Sequence, residues 1–224
     1  MATIEKYFGN WKSYGEVQTP QYPALAPITA PMETTVVGKE AAMVRMGWRA
    51  ERNNSLQADT LNLISEVLAN GTAGMFDLDL NSKFKVQGAY AFYNGLSEYG
   101  SFELIGVPNQ GQSLKEVRSI MLAEIDKLKK GEFSDELLSS IINNMKRDLY
   151  KSLDKNDVRG DMFVDAFINN IPWEQKVGTI DRLSKITKTD VVAFANKFFT
   201  NNYVTVFKEV GEAAAVQKVE KPAI

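Results

Sequence analysis

The chain contains no cysteine and no histidine. No disulfide and no Cys- or His-ligated metal can therefore staple its fold. The same absence removes chemistry. Thiolate nucleophiles, Ser-His-Asp triads, Cys-His dyads and His-ligated metal sites are all excluded within this chain. What remains is carboxylate, Lys, Tyr or Ser/Lys chemistry, or none. A chain without Cys tolerates both redox compartments. Across 224 residues, 44% hydrophobic and 24% charged, the composition is that of a globular protein. The formal net charge of −2 supplies no basic field, so nucleic acid is not an expected partner. No run approaches 18 apolar residues, so no membrane span is expected. Met1 to Gly9 lacks the basic-then-apolar pattern of a signal peptide.

Four of the seven prolines, Pro20, Pro23, Pro27 and Pro31, crowd into one short stretch. Each fixes φ and removes an amide donor, which predicts an extended segment poor in regular structure. Ile4 to Gly9, just before it, reads as the last turn of a helix with a Gly cap. A helix end without a helix points to a piece of a longer polypeptide. Gly211 to Ile224 reads as a linker or tail. The expected organisation is thus the end of a preceding domain and a Pro-rich linker over 1–37, an α+β domain over 38–211, and a linker or tail over 212–224.

Within that domain, residues 42–49 read as a strand. Ser55 is placed to cap a helix over 56–69, closed by Asn70-Gly71. A short helix is expected at 74–80. Residues 85–93 and 101–107 read as a hairpin. The pattern then turns helical. Ser113 to Glu116 has the form of a capping box opening a helix that Gly131 closes. Ser134 starts a second helix, a third covers about 157–169, and Thr187 to Asp190 caps a last one. Tyr203 to Phe207 is a strand. Strands adjacent in sequence followed by a run of helices predict an α+β fold, a two-layer arrangement with a sheet packed against long helices.

No motif supplies a catalytic constellation. Asp77-Leu78-Asp79-Leu80-Asn81 begins like a calcium loop, but Ser82 and Gly88 stand where the loop needs Gly and Glu, so an amphipathic turn is expected. Gly106 to Ser113 could cradle an anion at a helix start but lacks the ending of a phosphate loop, and reads as a strand-to-helix turn. Arg159-Gly160-Asp161 falls in a predicted helix. Asn53-Asn54-Ser55 and Asn70-Gly71-Thr72 fit helix ends as well as glycosylation sites. The mixed charges of Asp126 to Lys130 read as a solvated helix face. The aromatics, Trp48, Phe102, Phe199 and Phe207 among them, read as core.

The order of elements resembles one domain of the pitrilysin/insulinase-type zinc metallopeptidases, the inverzincins. The residues that carry the resemblance are Tyr7-Phe8-Gly9 before the Pro-rich stretch, Asp59 to Gly71, Gly131 to Leu137, Ile186 to Val191, Tyr203 to Phe207, and the Lys218 to Ile224 tail. The family holds zinc through H-x-x-E-H on a helix and a distant Glu. This chain cannot form that site, and the resemblance implies one of the partner domains that lack it. Some such domains offer an Arg and a Tyr to the bound peptide. Asn81 and Gln87 stand at those degenerate positions and are the candidate substrate-chamber residues. The resemblance thus implies a non-catalytic domain forming one wall of a peptide chamber. Zinc would be held in another domain of the same polypeptide, with H-x-x-E-H encoded upstream, in the periplasm or cytoplasm of a bacterium. A non-enzymatic scaffold or core subunit of the same fold and an unrelated α+β ligand-binding domain are the alternatives.

Overall fold

The alternation Val44, Met46, Trp48, Ala50 places every second residue of one strand on a buried face. In the computed structural model, which describes residues 1–15 and 22–212, this strand is β2 (Met43–Ala50). It pairs antiparallel with β4 (Gly100–Val107), which pairs with β3 (Gly88–Gly95) as the expected hairpin. On its other side β2 pairs with β5 (Tyr203–Val210), and β5 pairs in parallel with β1 (Met32–Gly38). The sheet order is β1-β5-β2-β4-β3.

Two helices, α2 (Leu56–Leu68) and α3 (Leu114–Lys130), lie directly on this sheet. α4 (Asp135–Ser152) packs on α2, and α8 (Lys188–Phe198) packs on α3 and α2. Between α4 and α8 lie α5 (Asn156–Ile168), α6 (Trp173–Val177) and α7 (Thr179–Leu183). The core sits between sheet and helices. Trp48, Phe102 and Phe199 meet edge to face there, with ring centroids 5.1 Å apart for both Trp48–Phe199 and Phe102–Phe199. The Trp48 indole N–H donates to the Thr200 carbonyl at 3.1 Å, so its buried polar atom is satisfied. α3 lies tight against β4 at Gly106. A Cβ there would come within 2.4 Å of Val117 Cγ1.

The α+β reading holds, with local differences. β1 lies inside the stretch expected to be linker. Residues 32–37 are exposed, so no burial alternation marks them as a strand. α1 (Ala2–Phe8) ends at Gly9, which stays right-handed instead of adopting the expected left-handed cap, and buries none of its residues. Ser55 makes no side-chain cap bond, and its hydroxyl is buried without a partner among the described residues. Ser113 does accept from the Glu116 N–H, but the Glu116 carboxylate takes the Gln112 amide at 3.2 Å, leaving half a capping box. Thr187 and Asp190 complete theirs. The helix expected at 74–80 is a π-helical turn, Asp77–Asn81. α6 and α7, five residues each, are too short for a periodic signal. Pro20 and residues 213–224, with most of the C-terminal linker reading, lie outside the described residues.

Candidate functional site

The π-turn carries three oxygen-bearing side chains at alternate positions, and it also carries the first of the two candidate chamber residues. The turn is anchored by Leu80, which is buried. Its polar side chains bond mainly to different parts of the fold, and the Asn81 amide also donates to Asp77 Oδ1 at 3.3 Å. Asp77 Oδ2 accepts from the Asn70 N–H at 2.9 Å and the Gly74 N–H at 3.1 Å, closing the loop after α2. Asp79 accepts from Lys83 Nζ at 2.6 Å and from Lys127 Nζ, on α3, at 2.7 Å. Asn81 reaches across to β3. Its amide donates to the Ala89 carbonyl at 3.0 Å and its oxygen accepts the Ala89 N–H at 2.8 Å. A cation needs several oxygens converging on one point, and these are each committed elsewhere. Among the described residues no group of three or more acidic side chains could hold a metal ion. With no His or Cys in the chain, the residues present do not fit zinc.

Asn81 is therefore a stand-in for a strand. It satisfies both backbone groups of Ala89 on the outer edge of β3, which would otherwise be open. Gln87 is placed differently. Its backbone N–H donates to the Val107 carbonyl at 3.0 Å, opening the β3–β4 ladder, while its side chain is exposed. The two candidates thus lie at the same end of β3, one turned into the fold and one turned out.

Lys127 was expected on a solvated helix face. It bridges two carboxylates instead, bonding Glu124 Oε1 at 2.8 Å as well as Asp79. The bonds to Lys127 and Lys83 hold the Asp79 carboxyl down at about 2. The bonds to Asp79 and Glu124 push the Lys127 ammonium up. Burial pushes the Glu124 carboxyl up against the opposing pull of Lys127, and its Oε2 is buried without a partner among the described residues. Glu124 and Lys127 stand three apart on one helix and Asp79 and Lys83 four apart on the turn, a spacing visible in sequence. That the two pairs meet is a tertiary fact. Next to the candidates, Phe84 holds φ at +52° with its ring exposed. Its carbonyl accepts from the Asn109 amide at 2.8 Å, and the Lys85 carbonyl accepts from the Gln112 amide at 2.9 Å. The Gly106 to Ser113 loop is thereby satisfied internally, as a strand-to-helix turn.

This sheet and its helical layer form an α+β domain, and among the described residues no donor set could hold a metal ion. The chain belongs to the Peptidase M16 inactive domain family, whose model matches residues 1–145. In backbone shape it is similar to a protease from Helicobacter pylori, with a TM-score of 0.86 at 21% identity over 93% of this chain and 51% of that one. It is similar to the first half of the periplasmic protease PqqL from Escherichia coli, at 0.71 and 14% identity over 93% and 48%. An inactive peptidase domain from Bordetella parapertussis gives 0.66 and 16% over 75% and 92%. The chain spans about half the length of the first two. No curated protein sequence is matched. No helix among the described residues is long and apolar enough to cross a membrane.

Proposed function

We propose that this domain forms one wall of the peptide chamber of a zinc peptidase whose metal is carried by another domain of the same polypeptide. Zinc held in that other domain would supply the hydrolytic chemistry. The present domain contributes shape and leaves the chemistry to its companion. The observation that carries this reading is the commitment of Asp77, Asp79 and Asn81 to hydrogen bonds and ion pairs within this chain, in a family of inactive domains. Gln87, exposed at the start of β3, is the chamber position free to meet a peptide, while Asn81 holds the strand edge beside it. The face carrying Phe163, Phe167, Ile168 and Trp173 exposes more apolar surface than an isolated domain needs, which supports a neighbouring domain packing there.

Zinc content and peptide hydrolysis of the purified chain test the reading. The expected result is neither bound zinc nor turnover, and zinc-dependent cleavage by the chain alone overturns it. The reading frame around this segment should also encode an H-x-x-E-H domain. That domain should gain peptidase activity when this chain is added. A companion lacking the motif would instead make the pair a scaffold of the same fold.

A further inference from the structure

The proline-containing arm crosses the rim of the sheet between Tyr22 and Pro31 without helix or strand pairing, and only Ile28 in it is even half-buried. Apolar burial therefore does little to hold it. Two side chains grip its backbone instead. Arg49, on β2, donates from Nη1 to the Ala26 carbonyl at 2.8 Å. The Leu25 N–H donates to the Tyr99 hydroxyl at 3.3 Å. The Arg49 guanidinium lies over the Tyr99 ring, 5.7 Å from its centroid, so each gripping group orients the other. The pair reads the N–H of one residue and the carbonyl of the next. It does not read the side chain between them, since Leu25 is 58% exposed.

The segment suits this grip. Pro23 and Pro27 bracket the gripped residues and fix φ at their own positions, which lowers the cost of ordering the segment. Leu25 itself is not proline and keeps the N–H that Tyr99 needs. Residues 22–31 carry no charge, and the rim beneath them includes Glu51 and Glu98, which disfavours an acidic segment. A cavity of about 370 Å³ lies under the arm, with Leu25, Pro27 and Ile28 on one side and Glu51, Glu98 and Phe198 on the other.

We propose that Arg49 and Tyr99 form a backbone clasp for an uncharged, proline-flanked peptide segment, and that this chain fills it with its own residues 22–28 as a strap. The strap sets the path by which the polypeptide reaches β1. The proposal does not rest on the chamber reading.

Amide exchange at Leu25, followed by NMR in the full chain, tests the strap. Tyr99→Phe keeps the ring and removes the acceptor, and Arg49→Ala removes the donor. Each should speed Leu25 exchange roughly three- to tenfold, with exchange in β2 and β4 unchanged. An unchanged Leu25 rate in both variants overturns the strap. A second arm tests the clasp as a binding site. Leu25→Pro deletes the strap's N–H and should leave the clasp open to a free peptide spanning residues 22–31 at millimolar concentration. Binding should vanish when the peptide's Leu nitrogen is methylated, and when Arg49→Ala is added to the chain. Absence of binding, or binding indifferent to methylation, overturns the clasp.

Discussion

Two aromatic clusters of this domain carry similar residues and stand in opposite surroundings. Trp48, Phe102 and Phe199 meet edge to face between sheet and helices, with Trp48 1% exposed. Phe163 and Trp173 stack flat at 4.3 Å on the outside of α5 and α6, 58% and 38% exposed. The first cluster is closed by strands and helices of this chain. The second forms the floor of a groove between α4 and α7, and no described residue covers it. The contrast teaches that the sheet side closes its aromatics against helices of the same chain, whereas the α5–α6 side leaves them open among the described residues.

Stability measurements on single variants can break that contrast. The largest effect is expected for Trp48→Ala, which empties the closed cluster and strands the Thr200 carbonyl. We expect a loss of about 3–5 kcal/mol in chemical denaturation. Gly106→Val should follow at about 3 kcal/mol, because the added side chain collides with Val117 and α3 cannot settle on β4. Phe163→Ala should cost only about 1 kcal/mol in this chain, since most of its ring is already in water. A Phe163→Ala loss equal to that of Trp48→Ala would erase the distinction between the clusters. The smallest effect belongs to the polar seam between the π-turn and α3. The Asp79 carboxyl is lowered from 3.8 to about 2. Its contribution is present above the unfolded value and is lost as pH falls from 3.8 toward 2. Asp79→Asn should therefore flatten the acid limb of the stability profile in that window. The side chain is partly exposed, so under about 1 kcal/mol is at stake.

The same contrast explains what was legible beforehand. Where a strand or helix buries one face, its period shows in sequence, and β2, β3, β4, β5 and the long helices were placed within a few residues. Thr187 and Asp190 announced a capping box that the structure completes. Where burial does not alternate, the signal fails. Met32 to Gly38 is a strand by its pairing with β5 alone, and α6 and α7 are too short to show a period. Ser55 had the right residue in the right backbone conformation, yet its hydroxyl makes no cap bond. At the candidate site, Asn81 and Gln87 came from family resemblance. The residues alone could not say that Asn81 would spend its amide on Ala89. Nor could they join Asp79 to Lys127, or Arg49 and Tyr99 to the arm, because those partners are distant in sequence and meet only through the sheet.

The parallel pairing of β1 with β5 has a consequence for how the domain is made. Met32 lies beside Val204 and Gly38 beside Val210, so the first strand of the sheet must wait for the last. On a ribosome the hairpin of β3 and β4 and helices α2 and α3 can gather early, since their contacts are short-range. β1 has no neighbour until β5 emerges, and β2 has only β4. Closure over so long a stretch of chain is slow relative to local assembly. Until it occurs, the β2 edge that receives β5 stays open. Synthesis therefore leaves the nascent domain a window in which that edge must avoid other chains, and the window ends only when residues 203–210 have been delivered.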